Sequence, residues 1–282
     1  MNKAASIRAK LNNIAKSENI SFQVIIFRYL HERFLFRLSM SAYKNNFCLK
    51  GGVLLYAFEQ ELTRPTRDVD FLGTDISNDF DNIKQAFQEI CIIDDDDAVW
   101  FDSKSITIEK IKEEDKYEGV RLFIEGGFDT IKQRLQIDVG FGDIVIPGAQ
   151  LISYPSLLNE TKTAVINAYS KESIIAEKFH AIIVLSYANS RMKDFYDIYN
   201  LLKNSSIDFE ILANSIESTF IRRETELRED ATFFDENFSN DITLASLWKM
   251  FLKKNQLIVD VDFKEIVEFI REKLNFVIKP TK

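Results

Sequence analysis

Two cysteines and two histidines in 282 residues leave this chain poor in the side chains that staple small folds or hold transition metals. Cys48 and Cys91 make no disulfide framework and read as buried thiols of a reducing cytoplasm. His31 and His180 sit in apolar helical surroundings with no second ligand at metal spacing. They read as packing residues, and catalysis that depends on histidine has few candidates. No run of about 18 apolar residues occurs, so no membrane-crossing helix is expected. The first twenty residues lack the apolar core of a signal peptide. There is no linker rich in Gly, Pro or Ser and no internal repeat. The expectation is a cytoplasmic chain with no membrane partner.

What is present fits an ordinary globular protein: 46% of residues are hydrophobic and 28% charged. The length suffices for a sizeable core and two packed domains. A net charge of −8 argues against a general nucleic-acid coat protein. The charge is uneven, however. Residues 1–50 hold nine Lys/Arg against Glu18 and Glu32, giving +7, and the remainder carries −15. Such a basic arm suits a phosphate backbone, and it equally suits a solvated or partner-facing helix surface. The run "DDDD" at 94–97 reads as a solvated turn, because adjacent carboxylates repel and point apart.

Residues 3–17 and 21–40 read as helices, the second with Val24, Phe27, Leu30, Phe34 and Leu38 at helical spacing and Ser21 as N-cap. "FCLK" (47–50) is a short strand that Gly51-Gly52 turn into a helix around 53–60. "RDVDFLG" is a strand, and Ser77 opens an amphipathic helix over 77–90. Segments 105–111, 119–126 and 134–142 alternate as strands with one covered face do. Helices follow at 172–187, 190–203, 207–219, 241–254 and 262–277. The fold class is mixed α/β (α+β), with N-terminal helices and a sheet over 1–155 and a helical domain over 156–282.

The acids pose the chemical question. Asp68 and Asp70, two apart on a strand, point to one side, while Val69 and Phe71 face the core. Such a pair needs a cation. Arg64 and Arg67 at the strand end could supply it, and so could a hard divalent ion such as Mg²⁺. In "RLQIDVGFG", Leu135, Ile137, Val139 and Phe141 form one face and leave Asp138 with Gln136 on the other. A neighbouring strand could bring Asp138 beside the pair, giving the three carboxylates of a two-metal phosphoryl-transfer site. Strand, Gly51-Gly52 and helix together let backbone N–H groups approach a phosphate, although Gly-Gly is also a common turn and the spacing is not that of a Walker loop. Lys178 lies within the stripe Ile174, Ala181, Leu185, where it either snorkels outward or meets a buried anion. Asp194 shares a face with Arg191, Ile198 and Leu201 and is the better functional candidate. Asp197 shares a polar face with Lys193 and reads as its solvated partner.

"FCLKGGVLLYAF", "RPTRDVDFLG", "LQIDVGFGD", "IIAEKFHAI" and "RMKDFYDIYNL", in this order from about Phe47 to Leu202, resemble the AbiEii-type nucleotidyltransferase toxins. These belong to abortive-infection and type IV toxin–antitoxin systems and are related to the MenT toxins. The resemblance implies a DNA polymerase-β-like nucleotidyltransferase sheet. It implies that Gly51 and Gly52 cradle the triphosphate, that Asp68 and Asp70 hold Mg²⁺, and that Asp138 is the third sheet carboxylate. Lys178 would be the triphosphate-facing lysine, and Asp194 the acid of the last motif. Val53 departs from the pattern, since relatives often carry Ser or Thr there.

The activity so implied is transfer of a nucleoside monophosphate from an NTP to an acceptor hydroxyl, with Asp138 helping to remove the acceptor proton. A tRNA 3′ end is the acceptor the resemblance suggests, with the arm of Arg8, Lys10, Arg28, Arg33 and Arg37 for its phosphates, and an antitoxin is the implied protein partner. Two other readings compete. One is a small-molecule nucleotidyltransferase of the aminoglycoside-modifying kind, and the other a non-catalytic binding protein of the same fold.

Overall fold

The computed structural model describes residues 3–59, 64–111 and 119–277. The chain divides into two compact units. The first comprises Met1–Phe58, Pro65–Gly142 and Gln150–Ala168, and the second Glu59–Arg64, Asp143–Ala149 and Tyr169–Lys282.

In the first unit, helices α1 (Lys3–Ser17) and α2 (Phe22–Met40) precede β1 (Phe47–Lys50), which runs directly into α3 (Gly51–Glu59). The position 60 expected to end this helix lies outside the described residues. Next come β2 (Asp68–Gly73), α4 (Phe80–Cys91), β3 (Trp100–Ile111), β4 (Gly119–Phe128), β5 (Ile131–Phe141), β6 (Gln150–Ser153) and β7 (Val165–Ala168). They form one sheet in the order β3-β4-β5-β2-β1-β7-β6. It is mixed: β2–β5 and β1–β7 pair in parallel, and the other neighbours antiparallel. Strands β6 and β7 are absent from the sequence reading, so the sheet extends past residue 155. α4 begins at Phe80 under the Asp79 cap, whose side chain accepts from the N–H groups of Asp81 and Asn82. Ser77 sits one step further out, accepting from the Asp79 N–H at 3.2 Å.

One face of the sheet is the core. Val69, Phe71, Leu135, Ile137 and Val139 are buried. Phe47 packs against Phe71 and Phe87, and Phe87 stacks on Phe34 of α2. α2 is buried nearly all round from Ile25 to Leu38, more than a single apolar stripe would need. The reason is that its polar residues have partners indoors.

Arg33 and Arg37 are those residues, and they correct the basic-arm reading. Both are buried. Arg37 places Nη1 and Nη2 2.8 and 3.0 Å from the two Asp97 oxygens, and Arg33 Nε donates to Asp97 at 2.8 Å. Arg33 also donates to Asp95 at 3.0 Å. The "DDDD" run is therefore no solvated turn at Asp95 and Asp97: it supplies the counter-charges without which two arginines could not enter the core. Burial pushes the Asp97 carboxyl up, but the hydrogen bonds and charge of Arg37 and Arg33 outweigh it and leave it below its ordinary value. The other arm cations also meet partners, Arg8 on Asp129 and Thr130, Lys10 on Glu160, and Arg28 on Glu18 and the Tyr56 ring.

The second unit is helical: α5 (Lys171–Leu185), α6 (Met192–Asn204), α7 (Phe209–Arg222), the short α8 (Glu236–Ser239), α9 (Ile242–Asn255) and α10 (Phe263–Leu274). Side-chain caps from Ser170, Asp208, Asp235, Asp241 and Asp262 start five of them. Aromatic contacts of Phe195 with Phe238 and Phe263, and of Phe179 with Phe220 and Phe233, fill its core. Cys48 and Cys91 are buried thiols and both histidines are buried, as expected. No described helix is long and apolar enough to cross a membrane.

Candidate active site

The face of the sheet opposite the core gathers the acids. In register, Asp70 of β2 lies beside Asp138 of β5, and Asp68 beside Gln136. One carboxylate oxygen from each of Asp68, Asp70 and Asp138 lies within 4.8 Å of the others, all three half-buried. The parallel β2–β5 pairing brings the third acid to the first two across 68 residues of chain.

Both glycines serve this approach. Gly51 has φ +70, a left-handed conformation, and a Cβ there would lie 1.9 Å from Asp70 Oδ2. Gly51 thus turns the chain from β1 into α3 and also leaves the space that the Asp70 carboxylate fills. A Cβ at Gly52 would meet Thr66 Oγ1 at 2.8 Å. Thr66 in turn donates to Asp68 Oδ1 at 2.6 Å, which orients that acid. Thr66 was not singled out from sequence, although its place two residues before Asp68 on the strand approach was the available signal. Val53 is buried, and its carbonyl accepts from the Tyr154 hydroxyl at 3.2 Å. A hydroxyl at position 53 would enter the core.

An arginine does meet the acids, and it comes from β4. Arg121 donates Nε and Nη2 to the two oxygens of Asp138, each at 2.8 Å. Those hydrogen bonds raise the guanidinium above its ordinary pKa. Gln136 Nε2 adds donations to Asp138 at 3.3 and 3.1 Å. Arg121 also escaped the sequence reading, since only the β4–β5 register places it opposite Asp138. Arg67 holds its guanidinium over the Phe27 ring, while Arg64 forks onto Asp197. His31, buried beneath, is lowered to about 4 by burial, with the charge of Asp68 opposing. It is neutral near pH 7 and brings no positive charge to the acids.

The donor chemistry fits a hard divalent ion. Three carboxylates offer oxygens at mutual distances one ion can bridge, and Mg²⁺ favours such oxygens while keeping waters and phosphates as further ligands.

Lys178 and Asp194 belong to the second unit, in a buried ion cluster. Lys178 Nζ lies 2.8 Å from Asp194 Oδ1 and 2.8 Å from Asp197 Oδ2. Of the two sequence alternatives, Lys178 meets buried anions. Arg64 holds Asp197 at 3.2 and 3.1 Å, and Arg191 lies 2.8 Å from Asp194. Burial works against the Lys178 charge, yet Asp194 and Asp197 outweigh it and raise its pKa. Burial likewise opposes the charge on Asp194, and Lys178 with Arg191 lowers it. Asp197 corrects the sequence reading: it is buried with Lys178 and Arg64 and is not a solvated partner of Lys193. α6 packs against α5, α9 and α10, so the face that looked polar is also covered. Among the described residues, Arg64, Lys178 and Arg191 face Asp194 and Asp197 in this cluster.

The model of a family described as nucleotidyl transferase AbiEii toxin, type IV toxin–antitoxin system, matches residues 33–268. Two crystal structures from Helicobacter pylori share the fold. A nucleotidyltransferase candidate has TM-score 0.53 and 17% identity, over 92% of this chain and 96% of its own. JHP933 has TM-score 0.53 and 16% identity, over 91% of this chain and 92% of its own. Among curated proteins nothing matches.

Proposed function

This chain belongs to the AbiEii nucleotidyl transferase toxin family of type IV toxin–antitoxin systems, and from that premise we propose that it transfers a nucleoside monophosphate from an NTP to an acceptor hydroxyl, releasing pyrophosphate. The observation that carries the reading is the meeting of Asp68, Asp70 and Asp138 on one face of the sheet. These carboxylates would hold Mg²⁺, which when bound supplies Lewis-acid activation of the acceptor oxygen and offsets charge on the leaving pyrophosphate. Asp138 takes the acceptor proton. On the family resemblance, Gly51 and Gly52 would cradle the triphosphate at the start of α3. Lys178 and Asp194 are further residues the reaction requires, on the family resemblance, the lysine charge being of the sign that counters charge building on a phosphate.

The acceptor we propose is an RNA hydroxyl, a tRNA 3′ end in the first instance, in the cytoplasm, and an antitoxin is the partner the family implies. Support for tRNA comes from the family alone, because Arg33 and Arg37 are buried and leave the arm weaker than its sequence suggests. The same burial favours a second reading, a small-molecule acceptor.

Labelled NTPs incubated with total cellular RNA, and separately with aminoglycosides, decide between them. An RNA band that needs Mg²⁺ and disappears in Asp70→Asn supports the first reading, and a labelled small molecule the second. If no acceptor is labelled, and growth inhibition survives Asp68→Asn and Asp70→Asn, the transferase reading of this site is wrong.

A further inference from the structure

We propose that Arg121 is a positioning residue that holds Asp138 in competition with a divalent ion, so that an ion gains the third carboxylate only when the guanidinium lets go. The inference rests on the reading of Asp68, Asp70 and Asp138 as an ion site.

The strand registers carry it. Lys50 pairs with Asp70, Asp70 with Asp138, Asp138 with Arg121, and Arg121 with Glu109. One row of five charged residues therefore crosses five strands, with the two acids flanked by cations. Within the row Asp138 is nearly saturated. A carboxylate offers about four lone-pair positions. The Arg121 fork takes one on each oxygen at 2.8 Å, and the Gln136 amide lies within 3.3 Å of both. To bind an ion, Asp138 must surrender a donor. Arginine cannot give up its proton, so its charge has to move rather than vanish. The side chain has room to do so, being one-third exposed. Glu109, exposed and next in the row, offers a carboxylate to receive it. The arrangement holds the acids quiet in the ion-free protein and makes engagement of Asp138 a separate step.

The test is Mn²⁺ binding without nucleotide, followed by the loss of its free-ion electron paramagnetic resonance signal, on the full chain and on Arg121→Gln, Arg121→Lys and Asp70→Asn. Removing a two-pronged charge-assisted contact should tighten Mn²⁺ binding about tenfold in Arg121→Gln. Arg121→Lys keeps the charge without the fork and should fall between that variant and wild type. Thermal melting checks folding, and if Arg121→Gln does not fold, the lysine variant carries the comparison. If wild type binds Mn²⁺, Asp70→Asn does not, and the Arg121 variants bind no tighter than wild type, the competition is refuted while the ion site stands. Absence of binding in wild type and in the Arg121 variants removes the ion site and this inference with it.

Discussion

Gly51→Ala is the sharpest probe of how the site is built. The added Cβ would lie 1.9 Å from Asp70 Oδ2, far inside contact distance, and the backbone there has φ +70. The left-handed conformation costs an L-residue about 1–2 kcal/mol. At about 2–4 °C per kcal/mol for a chain of this size, the melting temperature should fall by about 2–8 °C. The larger effect is local. Relieving the overlap means moving the Asp70 carboxylate by more than about 1 Å, and displacement on that scale lowers rates about 100-fold. Gly52→Ala is the internal control. Its Cβ meets Thr66 Oγ1 at 2.8 Å and Thr66 Cβ at 2.9 Å, so Thr66 must shift by a few tenths of an ångström at the expense of its hydrogen bond to Asp68. That hydrogen bond is worth about 0.5–1.5 kcal/mol, so activity should fall about tenfold or less. The assay is labelled-NTP transfer alongside thermal melting. If Gly51→Ala keeps more than a third of wild-type activity, or if Gly52→Ala is the more damaging, the idea that these glycines make room for the acids is wrong.

Asp97→Asn should cost about 3–5 kcal/mol, because it leaves Arg33 and Arg37 buried with one counter-charge fewer. Calorimetry would show the loss, and a change under about 1 kcal/mol would contradict the buried pairing. Its pH dependence has a definite sign. The folded carboxyl lies below its ordinary value, so its contribution is complete above the unfolded pKa near 4 and is lost as pH falls through the folded value. Wild type should therefore lose stability more steeply than Asp97→Asn below about pH 4. Lys178→Met removes the cation that bridges Asp194 and Asp197, each of which keeps one arginine, and should lower stability by about 1–3 kcal/mol as well as abolish transfer; a wild-type melting temperature would count against the cluster. Val53→Ser puts a hydroxyl into the core and should cost about 1–3 kcal/mol with no gain in transfer rate. A faster enzyme would show that position 53 reaches the phosphates after all.

Much of the fold was legible because its signals are local. Strand β1 and the Asp68–Gly73 strand follow from alternation and the glycine turn, and the five long helices after 170 from periodicity. β6 and β7 escaped because each is four residues long, and Leu151 and Val165 stay exposed, so no apolar rhythm marks them. The three acids could be read as one group because each sits opposite an apolar face on its own strand. What sequence could not supply was partnership at a distance. Asp97 looks solvated until α2 brings Arg37 from 60 residues away, and Asp197 looks solvated until α5 and Arg64 enclose it. Arg121 carries no local mark at all; only a strand register makes it the neighbour of Asp138.

The parallel pairing of β2 with β5 also sets a clock. Asp70 leaves the ribosome 68 residues before Asp138, and at about 5–20 residues per second this is a delay of about 3–14 s. Throughout that interval the nascent chain holds the glycine turn and the first two acids but not the third. A protein whose finished form belongs to a toxin family is thus without a complete acidic triad until Asp138 has emerged.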